Sequence, residues 1–187
     1  MSDYDPQRTV LVLIDLQKGI ARPGLAPHDA DDVVARCRSL AATFRDAGAP
    51  VVLVHVGFRN PAELPSLEAD KPSLPREGTP PEFYEFVEGV RTDRDLVVLK
   101  HHWGAFTGTD LDLQLRRRGI TTIVLAGIAT NFGVESTARS AWELGYDIVI
   151  AEDACTSRST ELHNFAVANI FPQIGRVKPA GEITFVP

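Results

Sequence analysis

The sequence predicts an α/β fold of the Rossmann-like kind, a three-layer αβα sandwich around a mainly parallel sheet of roughly six strands. Two observations support this. Short runs of β-branched and aliphatic residues recur along the 187-residue chain, and stretches with amphipathic helical spacing separate most of them. Alternating strands and helices favour parallel strands that are covered on both faces. We expect residues 1–187 to form a single domain, because this length is sufficient to bury one substantial core.

Five apolar runs predict strands, and a weaker run predicts a sixth. In chain order they lie at about 9–15, 50–57, 95–99, 121–126, 146–151 and 174–178. Apolar residues at helical spacing predict helices in the intervening sequence, at about 30–47, 111–118, 133–144 and 160–170. The first of these helices should end at Gly48, since glycine commonly terminates a helix and Pro50 cannot continue it.

Residues 58–94 do not follow the alternating pattern. They are rich in proline, glycine and acidic residues, and they are long for a connection within a compact domain. Such long connections are commonly functional. We therefore expect this segment to be a functional excursion or a lid.

Composition excludes several classes of function. The formal net charge is −6, which argues against a general nucleic-acid or anionic-membrane surface. The basic run Arg116–Arg118 is best explained as a solvated helix end. No signal-peptide pattern and no apolar stretch of roughly 20 residues occurs, so we expect a cytoplasmic protein without a membrane span. Cys37 and Cys155 form no recognisable disulfide framework and are expected to be reduced.

Three residues are predicted to meet at one edge of the sheet. Asp15 and Lys100 end the first and third predicted strands, and Gly133 follows the fourth. In open parallel sheets, ligands bind outside the carboxyl ends of the strands. Asp15 follows five apolar residues, and partial desolvation would raise its pKa and suit it to proton transfer. The alternatives are a turn-forming aspartate and a surface lysine.

Three motifs in order carry a resemblance to a known family. Residues 128–138, Ile-Ala-Thr-Asn-Phe-Gly-Val-Glu-Ser-Thr-Ala, follow an apolar run and open an alanine-rich helix. With residues 10–19 and with 96–100 followed by 106–111, they resemble the isochorismatase-like hydrolases of the cysteine hydrolase superfamily. This family includes nicotinamidases, N-carbamoyl amidases and isochorismatase. Gly133 stands where the amidases carry their cysteine, a departure also found in the isochorismatase branch.

The resemblance implies specific roles. Asp15 would be the catalytic aspartate, and Lys100 would be its partner and anion binder. Position 133 would lie in the elbow, the tight strand-to-helix turn that carries the nucleophile in the amidases. Phe106 would lie in the substrate loop. Ile128 and Ala129 would flank a non-proline cis peptide at the substrate site, with Ala129 supplying an oxyanion-hole amide. Trp103 belongs to the same substrate-lining segment, but packing in the core or at a subunit interface is its more common use.

The missing cysteine separates the functional alternatives. Loss of a covalent nucleophile disfavours a Cys-type amidase. The isochorismatase route needs no nucleophile, because an aspartic acid protonates the substrate's vinyl-ether methylene and water captures the resulting cation. Asp15 could protonate and Lys100 could hold a carboxylate. The remaining alternatives are a catalytically silent binding or oligomeric scaffold, and Cys155 as a replacement nucleophile, against which a small buried thiol is the more common use of a free cysteine.

Cofactors and partners complete the prediction. His101 and His102 are adjacent and would point to opposite faces of a strand, and His55 lacks the Asp-x-His spacing of nicotinamidases, so no catalytic zinc or iron and no other cofactor is expected. We expect a small-molecule substrate, which Arg59 or Arg94 could bind if it is anionic. The resemblance implies a homo-oligomer. Gln17 and Asn131 are expected to make local hydrogen bonds, with Asn131 capping a helix.

Overall fold

The centre of the molecule is a parallel sheet of six strands. The computed structural model describes residues 4–64, 68–71 and 78–186. Within them the strands have the order β3-β2-β1-β4-β5-β6, and every neighbouring pair is parallel. The strands are β1 (Thr9–Ile14), β2 (Val51–Val56), β3 (Leu96–Lys100), β4 (Thr122–Ile128), β5 (Asp147–Thr156) and β6 (Arg176–Lys178). The α/β prediction, including the weak sixth strand, is confirmed.

Helices connect the strands much as the apolar spacing predicts. They are α1 (Ala30–Asp46), α2 (Leu111–Arg117), α3 (Glu135–Glu143), α4 (Thr160–Phe165) and α5 (Phe171–Ile174). Two π-helical turns, Thr130–Val134 and Ala166–Ile170, precede α3 and follow α4. The predicted helix at 133–144 therefore begins with a wider turn than an α-helix has.

The strand order places helices on both faces of the sheet. From β1 the chain moves outward through α1 to β2 and β3, and from β4 it moves the other way through α3 to β5. Because parallel crossovers are right-handed, the helices of the two halves cover opposite faces. α1 contacts β1, β2, β4 and β5, whereas α3 contacts β5 and α5. The result is the predicted three-layer sandwich.

The sheet core is almost entirely apolar. All six residues of β1 and five of the six residues of β2 are buried, as expected for strands covered on both faces. β5 extends five residues further than predicted. Its pairing with β4 is irregular between Leu125 and Gly127, beyond which Cys155 pairs with Gly127. The polar residues Glu152 and Asp153 hide this extension in the sequence.

The described residues of 58–94 include two short 3₁₀ helices, Pro61–Glu63 and Pro81–Tyr84. Part of the predicted excursion, 65–67 and 72–77, lies outside the described residues. The described end of the excursion returns to the sheet near the carboxyl end of β1, where Gln17 and Phe86 form an antiparallel bridge. Across the described ranges, the helices are too short or too polar to cross a membrane.

Candidate active site

A cavity of about 320 Å³ opens at the carboxyl ends of the strands. It contains Asp15, which follows β1, and the turn that follows β4. β1 and β4 are neighbours from which the chain winds in opposite directions, and this switch point is where open α/β sheets bind ligands. The structure therefore brings Asp15, Lys100 and Gly133 together in the lining of one cavity, as their positions at strand ends predict.

Asp15 is buried and held in an uncommon backbone conformation. Its φ is 52°, in the left-handed region that few residues other than glycine adopt and that aspartate tolerates best. Its N–H donates to the Val54 carbonyl at 2.9 Å, and its own carbonyl accepts from the Gln17 N–H at 2.8 Å. The turn immediately after β1 thus fixes the carboxyl group at the cavity. Strain of this kind clusters at functional sites.

The Asp15 carboxyl group is paired on one oxygen. Lys100 Nζ donates to Asp15 Oδ2 at 2.8 Å and to the His102 carbonyl at 3.0 Å. Asp15 Oδ1 is buried without a hydrogen-bond partner in the described part of the chain. Burial raises the pKa of Asp15 to about 6, although Lys100 acts in the opposite direction. A carboxyl group with this pKa exchanges protons near neutral pH and is suited to general acid catalysis.

The elbow after β4 is formed by an unusual peptide and a π-helical turn. The Ile128–Ala129 bond is cis, as the resemblance implies, and Ile128 and Ala129 both line the cavity. Gly133 does not have a positive φ, so conformation is not what requires glycine there. A Cβ at this position would lie 2.9 Å from Ile14 Cγ2 and 3.2 Å from Asp15 Oδ2. Close packing against Ile14 and Asp15 is therefore the reason that the structure offers for glycine at this position.

Gln17 connects this site to the excursion. Its side-chain amide donates to the Val56 carbonyl at 2.9 Å and to the Tyr84 carbonyl at 3.0 Å, and its Oε1 accepts from the Val56 N–H at 2.9 Å. The expectation of local hydrogen bonds was wrong, because these partners lie 39 and 67 residues away in the chain. The bonds fix Phe83, one residue before Tyr84, as part of the cavity wall.

Two arginines at the cavity were not predicted. Arg22 and Arg158 line it together with Asp15 and Lys100, so its charged residues are three cations and one anion. Neither arginine forms an ion pair within the described ranges, and Arg158 lies over the Phe132 ring at 4.9 Å. Neither arginine follows a predicted strand end, so the direction of its side chain could not be predicted from the sequence. The arrangement favours a negatively charged ligand.

The predicted anion-binding arginines lie elsewhere. Neither Arg59 nor Arg94 is part of the cavity lining, and the Arg59 N–H is hydrogen-bonded to the Glu63 carboxylate. Asn131 does not cap a helix; its Oδ1 accepts from the Ser157 hydroxyl. The helix-capping prediction fails because Asn131 lies inside the π-helical turn rather than before it.

Aromatic side chains form the apolar part of the wall. Trp103 packs edge to face on Phe132, with the ring centroids 4.8 Å apart, and is 42% exposed. Core packing of Trp103 is therefore excluded, and both rings line the cavity with Phe83. Phe106 does not line it. Its ring stacks on that of Tyr146, with the ring centroids 5.9 Å apart. Of the two aromatic residues in the segment that the resemblance assigns to the substrate site, Trp103 lies at the cavity and Phe106 does not.

The cysteines are far from reactive. Both Cys37 and Cys155 are buried, and neither lines the cavity. Burial raises the pKa of Cys155 to about 12 and that of Cys37 well above its usual range. Since the thiolate is the nucleophile, the geometry disfavours Cys155 as a replacement for the missing thiol.

Comparison with known proteins agrees with this geometry. The sequence profile of the isochorismatase domain matches residues 9–180. An isochorismatase family protein of Escherichia coli O157:H7 is 51% identical over 185 residues, covering 98% of each chain. The crystal structure of an isochorismatase family protein from Burkholderia thailandensis superposes with a TM-score of 0.91 at 45% identity, covering 97% of this chain and 95% of that one. A ureidoacrylate amidohydrolase of Methylobacterium radiotolerans is 33% identical, covering 89% of this chain and 74% of that protein.

Proposed function

The chain belongs to the isochorismatase family of hydrolases, and we propose that it hydrolyses a small anionic molecule without a cysteine nucleophile. The single observation that carries this proposal is the Asp15 carboxyl group, which is buried beside Gly133 with a pKa raised to about 6. In this proposal Asp15 is the general acid and base. Lys100 and the two arginines of the cavity bind negative charge, and Ile128 and Ala129 contact the substrate.

Vinyl-ether hydrolysis is the reaction that this arrangement supports best. Protonated Asp15 delivers its proton to the terminal vinyl carbon, which leaves an oxocarbenium ion next to the ether oxygen. Water adds to that cation and loses a proton to the Asp15 carboxylate. The resulting hemiketal breaks its bond to the ether oxygen and releases a ketone and an alcohol. No covalent bond to the protein forms, so glycine at position 133 is compatible with every step.

Lys100 has two effects on this proton. Its Nζ holds Asp15 Oδ2 at 2.8 Å, so the unpartnered Oδ1 is the oxygen that we assign to carry the transferable proton. As the proton leaves, Lys100 stabilises the carboxylate that forms, since an opposite charge at this distance favours the anion. Burial, which raises the pKa of Asp15 to about 6, favours the protonated form before the transfer, and Lys100 favours the charged form after it.

Arg22 and Arg158 point to a substrate that carries carboxylate groups. Guanidinium groups form bidentate hydrogen bonds with carboxylates, and neither arginine has an ion-pair partner among the described residues. Three aromatic rings supply an apolar surface beside them. A cyclic or enol-type acid of modest size would satisfy both parts of a cavity of about 320 Å³.

A substrate screen with matched variants tests the proposal. Purified protein is offered carboxylated vinyl ethers, together with amides and carbamoyl compounds, and keto-acid or ammonia release is measured. Asp15→Asn should abolish turnover, because the amide preserves size but cannot deliver the proton, whereas Cys155→Ala should retain it. Arg158→Met should raise KM for the anionic substrate, while Arg94→Met, an exposed arginine outside the cavity, should not.

The alternatives predict other results. A catalytically silent scaffold would turn over no compound in any class, although it could still bind acids at the arginines. A Cys-type amidase that uses Cys155 would release ammonia from the amides and would lose this activity in Cys155→Ala. Retention of a buried Asp15–Lys100 pair weighs against the scaffold, because burying two charges costs free energy if nothing uses them.

A further inference from the structure

Outside the cavity, three side chains that can bind metals converge on one point. They are His28 from the loop before α1, Glu152 from β5 and His163 from α4. One ring nitrogen of each histidine and one carboxylate oxygen of Glu152 all lie within 4.8 Å of one another. Three segments that are distant in sequence thus present nitrogen and oxygen donors to the same small volume.

We propose that His28, Glu152 and His163 form a binding site for a divalent transition-metal ion, with Zn²⁺ as the best fit. Two imidazoles and one carboxylate are a ligand set that zinc uses in proteins, with a fourth position left for water. The set lies outside the residues that line the cavity. The proposed role of the bound ion is therefore to stabilise the structure next to the cavity rather than to take part in the reaction.

The geometry requires only small movements. At zinc–ligand distances of about 2.0 to 2.2 Å, tetrahedral ligand atoms lie roughly 3.3 Å apart. The His163 Nε2 and Glu152 Oε2 atoms are 3.9 Å apart, which is too long for a hydrogen bond and slightly too long for two ligands of one zinc ion. Glu152 has a side chain that is 31% exposed, so it can turn inward. His28 is also half-buried and can follow.

His163 is already oriented as a ligand. Its Nδ1 is 2.8 Å from the Thr130 hydroxyl oxygen, so with the proton on Nδ1 the lone pair of Nε2 is free to bind a metal. Metal-binding histidines commonly bind the metal through one ring nitrogen while the N–H of the other ring nitrogen donates a hydrogen bond. Thr130 is a positioning residue in this arrangement.

The surrounding charges are compatible with one cation. Asp153 Oδ1 accepts from the Ala180 N–H at 2.6 Å. Arg36 opposes metal binding electrostatically, because its charge also acts on Glu152. Its Nη1 donates to the Asp153 carbonyl at 2.7 Å, and among the described residues Arg36 forms no ion pair with Glu152. The carboxylate of Glu152 is therefore not held by Arg36.

A bound ion would connect three parts of the cavity wall. Leu25 and Arg158 line the cavity, three residues before His28 and six residues after Glu152. The Ala26 and Ser157 backbones exchange hydrogen bonds of 2.9 and 3.0 Å. Thr130 lies in the elbow turn between Ala129 and Phe132. The ion would therefore hold the 25–28 loop, β5 and α4 in fixed relation to the elbow.

Zinc binding to tag-free, EDTA-stripped protein tests the site directly. Calorimetric titration with ZnCl₂ should give one ion per chain, and the Tm of the parent should rise with zinc as mass action requires. His28→Ala and Glu152→Gln remove ligands that are only half-buried, so both variants should fold. Each should lower zinc affinity by about tenfold or more, since even residues outside the ligand set change affinity on the order of 10- to 100-fold.

Two further variants separate this site from nonspecific binding. Thr130→Val removes the hydroxyl group with little change of shape and should weaken zinc by about tenfold through His163 alone. His102→Ala removes an exposed histidine away from the cluster and should leave zinc affinity unchanged. The proposal is overturned if the parent shows no saturable zinc binding, or if His28→Ala and Glu152→Gln bind zinc as tightly as the parent. Neither result depends on any substrate.

Discussion

Replacing Asp15 with asparagine should make the protein's stability less sensitive to pH. In the folded chain, burial raises the pKa of Asp15 from 3.8 to about 6. The folded state therefore binds the Asp15 proton more tightly than the unfolded state does. The stabilising effect of the proton bound to Asp15 is fully present below about pH 4 and is lost as the pH rises through about 6. Asparagine resembles the protonated form at every pH and does not undergo this loss.

The magnitude follows from the same pKa values. Each pH unit corresponds to about 1.4 kcal/mol, so the shift from 3.8 to about 6 corresponds to about 3 kcal/mol. The free energy of unfolding of Asp15→Asn minus that of the parent should rise by about 3 kcal/mol between about pH 3 and about pH 7 and then level off. Urea denaturation followed by circular dichroism over this range measures the difference, and titrations shared by both proteins cancel.

Two controls make the measurement specific. Cys155→Ala changes no carboxyl group, so its difference from the parent should not vary over this range. Lys100→Met removes the charge that lowers the pKa of Asp15, so in this variant the loss of stability with rising pH should be larger and should extend to higher pH than in the parent. A pH-independent difference for Asp15→Asn, or one that falls with rising pH, would show that Lys100 outweighs burial and would refute the argument.

Three further predictions concern activity, the elbow and assembly. For any substrate found, kcat/KM should fall as the pH rises through about 6, because only protonated Asp15 can act as the acid; a rate that rises through this range would contradict the assignment. Gly133→Cys should place a thiol at the Asp15 carboxylate that is alkylated faster than the buried Cys37 and Cys155, and equal rates of thiol alkylation in variant and parent would argue against it. The family resemblance implies a homo-oligomer, and we assign Phe165, which is 60% exposed, to its interface. Phe165→Glu should then reduce the mass measured by light scattering, and an unchanged mass would exclude this residue from the interface.

The sheet and the convergence of the strand ends could be predicted because both depend on local pattern. Runs such as residues 9–15 are apolar without alternation, as parallel strands require, and their carboxyl ends meet wherever the strands are parallel. Asp15 and Lys100 could therefore be assigned to one edge before their 2.8 Å contact was known. The predicted strand near 146–151 was too short, because charged residues interrupt its apolar run.

The parts of the site on loops could not be predicted in this way. Loop residues have no periodicity that fixes their direction, so Arg22 and Arg158 gave no signal while Arg59 and Arg94 looked equally suitable. Gln17 was misjudged because its partners are distant in sequence. The cluster of His28, Glu152 and His163 has no spacing typical of metal sites, since the three residues come from three separate segments.

The Gln17 carboxamide fixes the two ends of the excursion, and the backbone between them is therefore freer to change in length and sequence. Its hydrogen bonds to Val56 and Tyr84 fasten both ends of the long connection to the sheet. Between these anchors, the part of the connection that precedes the 3₁₀ helix Pro81–Tyr84 can lengthen, shorten or exchange sequence without moving Phe83 at the cavity, because loop closure costs little extra free energy per added residue. Transplanting this interval from a relative with different selectivity should therefore be tolerated. Gln17→Leu should make the same graft fail.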